Sequence, residues 1–177
     1  MNSKYIKLFI AFSIFSFVLL GILGSHNGSE ANTNSIVLSA TFPEYTEEEL
    51  VNKADIIALG KIANHVSDYT MYEDIPFSDY LFEITKFIKV PEHLSKEKEL
   101  IITQDGNAQF IFDNHPLLKK SKTYLLFLNY SEDGKLIMVG GPNGKFNIEN
   151  GKAVQQAKLL KEKSLNETIE SIEKKIK

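Results

Sequence analysis

From Leu8 to Gly24 the chain runs seventeen residues without a charge, interrupted only by Ser13 and Ser16 as polar side chains. A helix that is apolar all round, rather than striped, does not sit on the outside of a small soluble domain. Lys4 and Lys7 precede the run, and Ser29-Glu30-Ala31 follows it with small residues at the −3 and −1 positions of a cleavage site. Together these have the form of an export leader, with a positive start and an apolar centre. As a helix at about 1.5 Å per residue the run spans about 26 Å, slightly less than a hydrocarbon core of about 30 Å. Residues 1–31 therefore read either as a cleaved signal peptide or as an N-terminal hydrophobic helix that anchors the chain in the membrane. In the second case the lysines stay inside and the rest faces outward. Both outcomes place the domain outside the cytoplasm, secreted or held at the cell membrane.

Without its leader the 177-residue chain retains about 145 residues, the size of one domain. Hydrophobic residues make up 43% and charged residues 24%, enough apolar material for a packed core. Every basic residue other than histidine is a lysine, and the formal charge is −3. A mildly acidic chain without arginine is poorly suited to polyanions, so nucleic acid is not an expected partner. The absence of cysteine excludes disulfides, thiolate metal sites and a cysteine nucleophile. An exported protein without disulfides, rich in Lys, Asn and Ile, fits a Gram-positive bacterium.

Ser25 to Ser35 is polar and rich in Asn, Ser and Gly, and residues 32–43 read as a linker. Thr46-Glu-Glu-Glu49 is a capping box that predicts a short helix over Glu47–Lys53. Strands are predicted over Asp55–Val66, Ser78–Val90, Glu99–Thr103, Gln109–Phe112, Thr123–Tyr130, Lys135–Val139 and Lys145–Ile148, the last of the series. Gly60 is placed for a bulge or a close backbone approach. Thr123–Tyr130 is apolar on both faces and belongs at the centre of a sheet. Asp105-Gly-Asn107 and Gly140-Gly-Pro-Asn-Gly144 read as turns; the second lacks the ending and following helix of a phosphate loop. Residues 154–177 return to helical spacing in two pieces, with Val154, Ala157 and Leu160 on the first. Leu165, Ile169, Ile172 and Ile176 mark the second, for which Ser164 is the N-cap. The fold class is mainly β: a small barrel or sandwich over 44–153, with a short N-terminal helix and C-terminal helices.

The succession Ala54-Asp-Ile-Ile-Ala-Leu-Gly-Lys-Ile62, Lys86-Phe-Ile-Lys-Val-Pro91, Tyr124-Leu-Leu-Phe-Leu128 and Gly140-Gly-Pro-Asn-Gly-Lys-Phe146 resembles small secreted bacterial β-barrel domains of uncharacterised function. More distantly it is similar to the netrin-like, OB-type barrels of tissue metalloproteinase inhibitors. The resemblance covers Glu48 to Val154 and implies an OB-like barrel. Those inhibitors chelate the protease metal through an N-terminal cysteine, which this chain lacks, so the resemblance does not carry inhibition with it.

No motif for catalysis stands out. The histidines are His26, His65, His93 and His115, and none is paired at metal-binding helical spacing. Asp113-Asn-His115, with Asp105 across the turn, is the one tight set of possible ligands. It supports an alternative reading as an envelope hydrolase or metal-dependent enzyme. Glu73, Asp74 and Asp79 are carboxylates without a sequence signature that brings them to one cleft. The segment Tyr69–Phe77 concentrates Tyr69, Met71, Tyr72 and Phe77 between two strands. These residues either form a contact surface or close the end of the barrel. The leading expectation is a non-enzymatic, cofactor-free module at the cell envelope, binding a protein, peptide or envelope component through Tyr69, Tyr72 and Phe77 or through the C-terminal helix. A secreted inhibitor-like protein is the third reading.

Overall fold

The computed structural model describes residues 35–71 and 74–177. The expected leader helix and its cleavage site, and Tyr72, lie outside the described residues. The protein is mainly β. Its strands are β1 (Ile36–Leu38), β2 (Ile56–Met71), β3 (Ile75–Lys89), β4 (Glu99–Asp105), β5 (Phe110–Phe112), β6 (Thr123–Tyr130), β7 (Leu136–Met138), β8 (Lys145–Glu149), β9 (Lys152–Gln155) and β10 (Lys163–Ser164). Its helices are α1 (Glu47–Lys53) and α2 (Leu165–Ile176).

In the larger sheet the order is β10-β9-β8-β6-β2-β3-β4-β7. β7 also pairs antiparallel with β6 and meets β4 in parallel, with Thr103 opposite Ile137. The succession β2, β3, β4, β7, β6 thus leads back to β2. Alternation along these strands sends Ile56, Ala58, Ile62, Tyr80, Phe82, Leu100, Ile102, Leu126, Leu128, Leu136 and Met138 into one buried cluster. The opposite faces of β2 and β6 supply Ile57, Leu125 and Phe127 to a second cluster. That cluster is completed by Leu50, Val51 and Ala54 around α1, Phe146, Ala153 and Ile172 of α2. β6 is therefore covered on both faces, which is why its sequence shows no polar alternation.

β2 and β3 form one long hairpin whose register slips at several bulges, one of them between Leu59 and Gly60. A Cβ on Gly60 would lie 2.3 Å from the Glu83 carbonyl oxygen and 2.7 Å from the Phe82 ring, so the bulge brings two backbones too close for any side chain. Both predicted capping boxes form. The Thr46 and Ser164 side chains accept from the backbone N–H groups of Glu49 and Glu167, whose carboxylates accept in return from the cap backbone. Lys89 Nζ donates to the carbonyls of Val51 (2.9 Å) and Ala54 (2.6 Å) at the end of α1, where the helix dipole favours a cation. Glu47 ties α1 to α2 through Lys175 Nζ at 2.8 Å and the Ser171 hydroxyl, and to β10 through Lys163 Nζ at 3.0 Å.

Several expectations need correcting. Residues 32–43 are not linker throughout, because β1 pairs in parallel with β5. The strand at Phe110–Phe112 consequently partners β1 and not β4. The first C-terminal helix does not form, and β8 is not the last strand. Asn150 (φ 50) and Gly151 (φ 74) make a two-residue turn that folds β9 back on β8, with Glu149 opposite Lys152. An Asn-Gly pair with two positive φ angles is the strongest short hairpin signal, and it overrides the helical spacing of Val154, Ala157 and Leu160. Gln155 then accepts from the backbone N–H groups of Leu159 and Leu160 through its side-chain oxygen, fixing the segment as a turn. Only the second helical piece exists, as α2.

Candidate functional site

Tyr69 and Phe77 were expected in a loop; they lie instead on β2 and β3, opposite each other in register. Strand pairing holds their rings stacked at 6.1 Å. Beneath them Asp79, only 8% exposed, accepts from the Tyr69 hydroxyl at 2.8 Å and the Thr103 hydroxyl at 2.7 Å. Lys135 reaches in from the turn after β6, 3.4 Å from Asp79 Oδ2 and 4.4 Å above the Tyr69 ring. The Tyr69 hydroxyl beside it raises its pKa, and Asp79 acts in the same direction. Asp79 thus fixes two side chains from other strands through Oδ1, while Oδ2 faces Lys135.

Against this cluster lies a groove of about 480 Å³, lined by Met71, Phe77, Thr103, Ile137 and the segment 129–133 together with Lys135. That volume falls within the usual range of about 300–1,000 Å³ for binding clefts. Its apolar floor comes from the ends of β2, β3 and β7, and its polar rim from Asn129, Ser131, Glu132 and Asp133. Tyr130 stands at the rim with 41% of its surface exposed. The turn is bonded within itself: Ser131 accepts from Lys135 N at 3.0 Å through its hydroxyl, and Gly134 takes φ 79. Of the aromatic residues singled out in the sequence, Phe77 lines this groove and Tyr69 packs beside it on Phe77, whereas the half that follows β6 was missed. Glu132-Asp-Gly134 reads as a plain turn until its position beside β3 is known.

Of the alternative ligand set, Asp105 and His115 meet and Asp113 does not join them. Asp105 Oδ1 lies 3.2 Å from His115 Nε2, and His115 is fully buried, whereas Asp113 is exposed. Among the described residues no three His, Asp or Glu side chains are placed to hold a metal ion. His115 packs against Phe42 with ring centroids 5.2 Å apart, and neither ring nitrogen has an aligned hydrogen bond. Burial lowers its pKa, against the pull of Asp105. The residue that sequence reasoning overlooked here is Lys145, the first residue of β8. It is 1% exposed, and its Nζ donates to the Pro116 carbonyl. Gln104, also buried, holds the same segment by donating to the carbonyls of His115 and Pro116 and accepting from Leu118 N at 2.9 Å.

Among the described residues no helix is long and apolar enough to cross a membrane. Compared with known proteins, the chain matches no family model and no curated relative.

Proposed function

We propose that this protein is an exported, non-enzymatic binding module with an OB-like barrel, whose ligand is a glycan chain of the cell envelope. The closed succession of pairings from β2 through β3, β4, β7 and β6 supports the barrel. In that arrangement the β2–β3 and β6–β7 turns correspond to the two loops that flank the ligand face of OB barrels. The groove lies between those turns, and this coincidence is the observation that carries the reading. The exposed Tyr130 ring and the half-buried Phe77 ring, beside amide, hydroxyl and carboxylate groups, suit the flat faces and hydroxyl edges of sugars. Glu132 and Asp133 at the rim, on a chain of net charge −3, disfavour nucleic acid. Export rests on Lys4, Lys7 and the uncharged run that follows them.

Co-sedimentation of the full-length protein with insoluble cell-wall material, stripped of its own proteins, tests the function. The wild type is expected in the pellet. Tyr130→Ala, which removes an exposed ring from the rim, is expected to shift the bound fraction several-fold toward the supernatant, and Lys61→Gln on the far side of β2 to leave it unchanged. Equal pelleting of all three, or binding only to wall material that retains its proteins, would refute the glycan reading.

A further inference from the structure

Lys145 is the most deeply buried cation of the described chain, and its charge has no bonded counterpart. An ammonium group carries three N–H donors. Lys145 uses one on the Pro116 carbonyl, and among the described residues no carboxylate lies within ion-pair distance of its Nζ. The nearest acid that acts on it, Asp105, already sits 3.2 Å from His115. A buried amine without a counter-charge either gives up its proton or gains a partner, and two of the three N–H donors of Lys145 have no bond among the described residues.

Lys145 and Pro116 together line a second cavity, of about 210 Å³, on the flank of β6 and β8. Lys119 and Lys122 line it too, and both are exposed, with no carboxylate partner among the described residues. Thr123 and Asn147 add a hydroxyl and an amide. Glu149 is the one acidic group in the lining. Three lysines against one carboxylate make this spot positive on a chain that is negative as a whole. The volume is below the range of drug-sized clefts, about 300 Å³ and upward, so a molecule of a few heavy atoms is what fits.

We infer that this cavity is a binding site for a small oxyanion, held by Lys145 from beneath and by Lys119 and Lys122 at the mouth. The site is separate from the groove at the β2–β3 hairpin and does not depend on the glycan reading. The groups that face Lys145 and its cavity are Asp105, His115, Lys119, Lys122, Tyr124 and Glu149. Of these and Lys145 itself, the buried lysine, with its pKa brought down by burial to about 7, is the one whose charge is lost just above neutrality. Anion binding that needs the ammonium form must weaken there.

Sodium sulfate and sodium acetate serve as separate probes, because neither changes charge between pH 6 and about 8.5. They are titrated into the full-length protein at constant ionic strength, and the backbone amide signals of Thr123, Asn147 and Gln156 are followed by NMR. A saturable shift with sulfate marks a tetrahedral oxyanion as the ligand class, and one with acetate marks a carboxylate. In either case the Kd is expected to rise at least tenfold from pH 6 to about 8.5. Lys122→Gln, a surface change that leaves the core intact, is expected to weaken binding several-fold, and Lys145→Met to abolish it. Shifts that do not saturate with either probe, an affinity equal at both pH values, or full binding by either variant would overturn the site.

Discussion

Lys145→Met keeps the length and volume of the side chain and removes its charge. Burial moves the amine from 10.5 to about 7, and each unit is worth about 1.4 kcal/mol. At pH 7 the folded state therefore carries a desolvation cost on the order of 5 kcal/mol that methionine does not have. The variant also removes one of the two donors to the Pro116 carbonyl, which keeps the Gln104 amide, a loss of about 1 kcal/mol. The net expectation is a variant more stable than the wild type at pH 7 by about 4 kcal/mol. The sign with pH follows from proton counts. Unfolded, Lys145 keeps its proton up to about 10.5; folded, it releases it near 7. Between those values the unfolded chain binds more protons, so wild-type stability climbs with pH by up to about 1.4 kcal/mol per unit, and the gap to the variant closes. Urea unfolding at pH 7, 8 and 9 reads this directly, as a midpoint raised in the variant at pH 7 with the m-value unchanged. A variant less stable than the wild type at pH 7, or a gap that does not shrink by pH 9, would refute the assignment of Lys145 as a buried, uncompensated cation.

Glu47 is held at about 2, because the hydrogen bonds from Lys175, Ser171 and Lys163 overcome the upward push of burial. Its contribution is complete above its ordinary 4.5 and is lost as pH falls toward 2. Glu47→Gln should cost about 1–2 kcal/mol at pH 7, after allowance for partial screening, and no more than about 0.4 kcal/mol at pH 2, as read by thermal melts at the two pH values. Gly60→Ala forces a methyl group into the Glu83 carbonyl and the Phe82 ring and should cost about 1–3 kcal/mol in denaturant midpoint. Ser164→Ala removes the N-cap of α2 and should cost about 1 kcal/mol, seen as faster amide exchange in the first turn of that helix.

The parts of the fold written in local chemistry were legible in the sequence. Thr46 and Ser164 announce their helices through the glutamates three residues on, and the greasy run at Thr123–Tyr130 announces a strand covered on both sides. What sequence spacing could not supply was competition between local signals and distant partners. Val154, Ala157 and Leu160 fit a helix as well as they fit a strand and turn, and the Asn150-Gly151 turn decides between them. Ile36-Val-Leu38 looks like linker until Phe110–Phe112 is there to pair with it. The same limit applies to the sites. Tyr69 and Phe77 were visible as aromatics, but the facing half of their groove comes from a turn more than fifty residues away. Lys145 carries no mark at all, since a lysine opening a strand is ordinary until the sheet closes over it.

Hydroxyl-radical footprinting of the full-length protein, alone and with soluble cell-wall glycan fragments, tests the binding reading most directly. Met71, Phe77 and Tyr130 line or rim one groove and are side chains that such radicals modify readily. Protection of these three on adding glycan, with Tyr45 and Phe112 unchanged, is the predicted result. Oxidation unaltered at all three, or protection confined to residues outside the groove, would contradict it.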